Sequence, residues 1–361
     1  MTIKRVFALL FTLTSLVLLV VVWGALTALP VQGAASANPY LIKFPLPQTG
    51  TPRNLIQHND ALWFTDAAGN AIGSLVVTST VEYAFTFYPL PTGNGEPYDL
   101  AASGNTIWFT ERSSNKLGRL DITTGAITEY AIPTANSAPT GIAVASSGVW
   151  FVEQAGNKLG RFTPGTNTFN EYPYPLAAAA LEDVAASGDG SQIWFTAPGV
   201  SRLVNFNVST GQFLNVSTAS PGLAPYTPSQ VVLDTLGNPW VSTHHGVVGR
   251  YSPATVQFFR WYQVGAADSA LDGFVWKPAG GGNQLWFTES NTGFAGQLTT
   301  QADGSTLNKW RFPISGSGIY GLVAENDGTI WVADSGAQAI WRWSSPYFFL
   351  PYSIYLPHIS K

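Results

Sequence analysis

Apolar positions along the chain fall in short runs separated by turns that carry Gly, Asn or Pro, the pattern of brief strands and tight loops. Residues 139–175 hold one complete unit. A small-residue apolar run, PTGIAVAS (139–146), leads through a Gly turn to VWFVE (149–153). An Asn-containing turn leads to KLGRFT (158–163), and TFNEYPYP (168–175) ends the unit. The same order recurs. Its aromatic anchor returns as Trp63, Trp108, Trp150, Trp194, Trp240, Trp286 and Trp331, at separations of 45, 42, 44, 46, 46 and 45 residues. Such spacing in a Gly-rich β-type sequence predicts a propeller with four strands per blade.

The two ends of the array complete each other. The last unit offers only GLVAE (321–325), TIWVAD (329–334) and AIWRWS (339–344), so its outer strand is missing. The segment YLIKFPLP (40–47) is similar to the outer strands ITEYAIP (127–133) and LNKWRFP (307–313). An N-terminal strand that joins the last blade closes the ring and removes an open sheet edge. The chain therefore reads as all-β: a seven-bladed β-propeller of four-stranded blades, closed by its N-terminal strand.

Composition narrows the rest. With 45% apolar and 11% charged residues, a net charge of −4 and no basic cluster, nucleic acid is excluded as a partner. The absence of cysteine excludes disulfides, thiolate metal sites and a cysteine nucleophile. Lys4 and Arg5 precede an uncharged apolar run from Val6 to Leu29, and GAASA (33–37) follows. That is the order of a secretory signal cleaved after about Ala37, although the run is also long enough for an uncleaved anchor. The expected division is 1–37 as signal peptide or signal anchor, 38–345 as propeller and 346–361 as a C-terminal tail. Either N-terminal reading places the propeller outside the cytoplasm, secreted or anchored by the apolar segment. The aromatic, Pro-rich tail reads as an extension packed on the last blade or as a sorting or attachment segment.

Propeller topology brings two sets of positions to one face of the channel. One opens each first strand: Arg53, Tyr98, Thr140, Glu182, Ser229, Asp272 and Tyr320. Of these, Arg53, Tyr98, Glu182, Asp272 and Tyr320 are the ligand-binding candidates. The other set lies three residues after each anchor Trp and includes Asp66, Glu111, Glu153, Glu289 and Asp334. An arc of convergent carboxylates requires a cation or shared protons, and hard oxygen donors favour Mg²⁺ or Ca²⁺. The competing reading is that each acid closes a strand by accepting hydrogen bonds from its own turn. His244 and His245, just after the Trp strand of the fifth unit, are the histidine candidates for a base or ligand. Arg202 joins Arg53 as an anion candidate, but no Gly-rich phosphate loop precedes a helix.

The unit W-F-T-E-x-x-x-N-x-[IL]-G-R-[LI], followed by I-P-T-x-x-[SA]-x-P as in IPTANSAPTGIAV (132–144), resembles the streptogramin B lyase family, also called virginiamycin B lyases. The resemblance covers about residues 40–344. It implies a seven-bladed propeller that opens a cyclic depsipeptide at its ester by elimination, with Mg²⁺ held by Glu and His and a His base in Pro-His pairs. Here Glu96-Pro97-Tyr98 keeps Glu-Pro and replaces His by Tyr, and Pro52-Arg53, Pro139-Thr140 and Pro228-Ser229 also lack His. Glu96 joins Asp66, Glu111, Glu153, Glu289 and Asp334 as a metal candidate; Tyr98, His244 and His245 are the catalytic candidates. The expected function is an exported monomer that binds a small molecule, peptide or cell-surface component without the family's catalytic histidines. The alternative is a Mg²⁺-dependent lyase or lactonase-like enzyme acting on a cyclic ester.

Overall fold

A computed structural model describes residues 40–344 apart from 80, 220–224, 280–281 and 317. The expected signal or anchor (1–37) and tail (346–361) lie outside the described residues. Within them, 28 strands form seven four-stranded antiparallel sheets, and the single helical turn is Pro198–Val200. No described helix is long and apolar enough to cross a membrane. Blades one to six are consecutive in sequence, each running from the channel outward. In the second blade the strands are Pro97–Ser103, Thr106–Glu111, Lys116–Asp121 and Ile127–Ala131. The seventh sheet is composite. Leu41–Pro45 pairs antiparallel with Ala339–Trp343, outside Ile330–Asp334 and Ile319–Ala324, so the ring closes as the sequence predicts.

The repeated motif builds the blade position by position. All seven anchor tryptophans are buried, from Trp150, Trp240 and Trp286 at 0% exposure to Trp331 at 5%. They fill the clusters between neighbouring blades; Trp150, for example, packs with Ile193 and Phe206 of the next blade. The following Phe turns to the other side of the strand, where the third strand supplies the Gly of the L-G-R segment as its cross-strand neighbour. Phe109 faces Gly118, and Phe64, Phe151 and Phe287 face Gly73, Gly160 and Gly296. A β-carbon on Gly118 would stand 2.0 Å from the Phe109 ring, so glycine is the side chain that fits. An Arg at the next position, after Gly in three blades and after Trp341 in the seventh, lies opposite the Trp and covers its ring. Arg119, Arg161, Arg250 and Arg342 sit 6.0, 5.5, 5.3 and 5.7 Å from the centroids of Trp108, Trp150, Trp240 and Trp331.

In blades one to three the Asn in the same motif ties the blade to the next. Asn115 adopts φ 60°, an allowance few other side chains share. Its amide donates to the Ile132 and Thr134 carbonyls at 3.2 and 2.8 Å, while Oδ1 accepts from Ser137 N at 2.7 Å. Asn70 and Asn157 repeat these links in blades one and three. The connecting segment is thereby held against the turn beside the channel.

Gly118→Ala is expected to lower unfolding free energy by about 1–3 kcal/mol through overpacking against Phe109. Gly165→Ala, where an added β-carbon meets nothing within 4 Å, is expected to change it by less than about 0.5 kcal/mol. Urea denaturation of the two variants checks the contrast.

Candidate functional site

Six of the seven first strands break register directly after their opening residue: Pro97 pairs with Glu111, yet Leu100 pairs with Phe109. The same irregularity follows Pro52, Pro139, Pro228, Leu271 and Ile319. One extra residue is accommodated each time, and such a bulge re-aims the side chains it contains. In blades one and two, Arg53 with Asn54 and Tyr98 with Asp99 thus reach the channel mouth as successive pairs, where strict alternation would send only one residue.

In four blades a hydroxyl pins this turn of the first strand. Thr110 Oγ1 accepts from Asp99 N at 3.2 Å and donates to the Thr140 carbonyl of the next blade at 2.6 Å. Thr65, Thr196 and Ser242 do the same between their own bulges and the carbonyls of Tyr98, Ser229 and Leu271.

The bulges converge on a cavity of ≈ 20 Å³ to which every blade contributes. Arg53, Tyr98, Glu182, Asp272 and Tyr320, all five predicted ligand candidates, line it together with Asn54, Asp99, Gly141, Asp183 and Gln230. The last five escaped sequence reasoning; the signal was the second position of each bulge. Thr140 and Ser229 are buried behind the rim. Asp99 and Asp183 are ties between blades, their carboxylates accepting from Ile142 N and Val231 N at 2.9 and 2.8 Å.

The mouth has a cationic half and an acidic half. The Arg53 guanidinium lies 4.1 Å from the Tyr98 ring centroid and 4.9 Å from that of Tyr320, and it donates to Tyr98 Oη at 3.0 Å. Burial pushes the Tyr98 phenol up to about 12, against the attraction of Arg53, so it remains protonated at neutral pH. Across the mouth, burial raises Glu182 to about 7, reinforced by Asp272 and opposed by Arg53. His244, from the loop after Pro239–Thr243, is held below the usual imidazole value by burial, with Asp272 acting in the other direction. Glu182, His244 and Asp272 each present a donor atom within 4.8 Å of the others, the one such triple of His, Asp and Glu among the described residues. One imidazole and two carboxylates suit a divalent metal ion, although the imidazole nitrogen departs from the all-oxygen shell that the Mg²⁺ implied by the resemblance prefers.

The residues predicted as metal candidates sit elsewhere. Asp66, Glu111, Glu153, Glu289 and Asp334 are all 0% exposed, and all but Glu153 accept a hydrogen bond from their own turn. Asp66 and Asp334 accept from Gly69 N and Ala337 N, three residues on, at 3.0 and 2.8 Å. Glu111 accepts from Ser114 Oγ at 2.5 Å. Glu289 accepts from Thr292 Oγ1, from Ser269 Oγ and from both Nε and Nη2 of Arg311. The arc of carboxylates is thus a series of separate turn closures rather than one cluster. Glu96, at φ 53°, takes the Ser113 hydroxyl and a 3.7 Å ion pair from Arg112. His245 turns from the acidic half toward the Tyr226 ring, 5.9 Å between centroids. Arg202 donates to the carbonyls of Val200 and Ser201 in its own turn.

Burial raises both Glu111 and Glu153 to about 7. Neither oxygen of Glu153 meets a hydrogen-bond partner. Both folded values lie above the ordinary value of 4.5, so the native state holds these protons longer than the unfolded chain. Their stabilising contribution is complete below about pH 4.5 and is lost as pH rises through about 7. Each is worth roughly 3 kcal/mol across that window. Glu153→Gln is expected to gain stability relative to the native chain between pH 5 and 8, read as the difference of thermal melts along the pH series.

Fold and mouth together define a seven-bladed propeller with a polar axial site. The virginiamycin B lyase family profile matches residues 32–251, more than half of the chain, and the chain belongs to that family. It is similar to the virginiamycin B lyase of Staphylococcus aureus at 24% identity and TM-score 0.72, over 84% of this chain and 99% of that one. It is also similar to a streptogramin B lyase at 22% identity and TM-score 0.73, over 84% and 96% of the two chains. A catalytically inactive variant of the S. aureus enzyme, solved with quinupristin, aligns at 22% identity and TM-score 0.72, over 84% and 99%. No curated protein matches the chain.

Proposed function

We propose that this chain is an exported binding propeller whose axial mouth takes a small ligand bearing an anionic group, without the ring-opening chemistry of lyases in its family. The observation that carries the reading is Arg53, held between the Tyr98 and Tyr320 rings at the mouth of the channel. A planar guanidinium fixed on two faces keeps its edge for a carboxylate or phosphate, and little side-chain entropy is lost when it binds. The positions that would carry histidine for the lyase reaction hold Arg53, Tyr98, Thr140 and Ser229. None of these takes up a proton from carbon near neutral pH, since even the Tyr98 phenol is pushed up to about 12. Export rests on the order of basic, apolar and small residues at the N-terminus.

The alternative is a metal-dependent lyase or lactonase-like enzyme acting on a cyclic ester or depsipeptide. It is favoured by Glu182, raised to about 7 beside Asp272, which is where a general base works best. A bound dication would polarise the ester carbonyl. The chain's own groups would then divide the work, with Glu182 accepting the proton and Arg53 orienting the substrate.

Two measurements separate the readings. Quinupristin incubated with the protein and Mg²⁺ is expected to elute unchanged from a reversed-phase column; chromatography is needed because elimination leaves the mass unaltered. Ring opening that a chelator abolishes makes the enzyme reading the correct one. Calorimetric titration with citrate is expected to show saturable binding that Arg53→Leu weakens at least ten-fold, the loss of about one charge-assisted hydrogen bond. Equal affinity in the two proteins, or no binding to the native chain, removes the mouth as an anion site.

A further inference from the structure

The geometry points to a divalent metal site of the zinc class at the rim of the channel mouth, with Glu182, His244 and Asp272 as its three protein ligands. The residues come from blades four, five and six, and their donor atoms approach within 4.8 Å of one another. Donors around a tetrahedral zinc, with bonds of about 2.0–2.2 Å, stand roughly 3.4 Å apart. Rotamer adjustments of about an ångström would therefore close the site, without movement of the backbone. That backbone is well held, since the Asp272 bulge follows Leu271, whose carbonyl accepts from Ser242 Oγ at 3.0 Å. His244 N donates to the Thr227 carbonyl at 3.1 Å, which anchors the loop that presents the imidazole.

The second support is the state of the carboxylates. Lys116, Lys158, Arg250 and Arg311 neutralise Glu129, Glu171, Asp234 and Glu289 elsewhere in the ring. Glu182 and Asp272 face each other with no ion pair within 4.0 Å among the described residues. The guanidinium lining the mouth, Arg53, is turned to Tyr98 and Tyr320 instead. Glu182 receives only a 3.4 Å contact from Ser229 Oγ. Two carboxylates brought together beside an imidazole lack a positive charge that a dication would supply.

The donor set also selects among cations. Mg²⁺ and Ca²⁺ prefer all-oxygen shells, whereas an imidazole nitrogen with two carboxylates suits zinc and its first-row neighbours. Three protein ligands leave a coordination position open to water or to a bound molecule. The site differs from one built on the acids three residues after each Trp, because Arg311 already occupies Glu289. It does not depend on the anion-binding reading above.

The test uses the full chain, freed of metal by chelation and dialysis. Titration with Co²⁺ is expected to develop visible d–d absorption that Zn²⁺ displaces, and calorimetry is expected to give one Zn²⁺ per chain, bound more tightly than Mg²⁺. Glu182→Gln, Asp272→Asn and His244→Ala should each weaken Zn²⁺ at least ten-fold, with unchanged circular dichroism in the absence of metal. His245→Ala and His58→Ala should leave affinity and spectrum as they are. The assignment is overturned if the native chain shows no saturable Zn²⁺ binding or prefers Mg²⁺. It is equally overturned if the three ligand variants bind as the native chain does, or if removing His245 or His58 is what abolishes the signal.

Discussion

A single side-chain hydroxyl, repeated around the ring, sets the position of nearly everything at the channel mouth. Thr65, Thr110, Thr196 and Ser242 each accept from the second residue of their own bulge and donate to the next blade's carbonyl. One such bond contributes about 1 kcal/mol, modest beside the burial of the tryptophans. Its importance is geometric. The carbonyls it grips belong to Tyr98, Thr140, Ser229 and Leu271, at or next to the residues that face the channel. Where Val152 replaces the hydroxyl in blade three, Gly141 N bonds across to the Glu182 carbonyl instead, at 2.9 Å. The mouth is consequently built from backbone positions clamped on both sides, and its side chains vary on a constant frame.

That frame accounts for the electrostatic division of the site. Arg53 is surrounded by aromatic faces and hydroxyls, which desolvate it without neutralising it. Glu182 and Asp272 are brought together by the same ring geometry from the opposite side. Charges that elsewhere are paired within a blade, such as Lys116 with Glu129 and Lys158 with Glu171, are kept apart at the axis. A site with separated charges of both signs can meet a ligand that carries complementary groups, or an ion on one side and an anion on the other.

Much of this was legible before the structure. The Trp period, the four-strand units and the similarity of YLIKFPLP to the outer strands required only self-comparison, because each repeat states the same packing problem. Five of the seven residues opening first strands line one mouth, as topology alone predicts, while Thr140 and Ser229 are buried behind it. Their neighbours Asn54, Asp99, Asp183 and Gln230 were not predicted there, since a bulge adds one residue where the pattern shows plain alternation. Glu111 and its equivalents presented the opposite difficulty. An acid three residues after Trp can face a shared channel or fold back on the turn, and the local sequence is compatible with both. The Ser114, Gly69 and Ala337 positions, each three residues further on, decide it by supplying the donor. The repeat brought Glu182 and His244 separately to the channel face, but their grouping with Asp272 appears only in three dimensions.

The closing strand has a mechanical meaning as well. Leu41 pairs with Trp343 and Pro45 with Ala339, and Ser344 N reaches the Tyr40 carbonyl at 2.9 Å. The chain therefore enters and leaves the disc at one point on its perimeter, next to the outermost edge of blade seven. A tether through either flanking segment would suspend the disc by its rim and leave both flat faces open to solvent. A pull that separates the two segments would act on that strand pair as on a zipper, loading one rung at a time. The seam that completes the ring is also where tension would first open it.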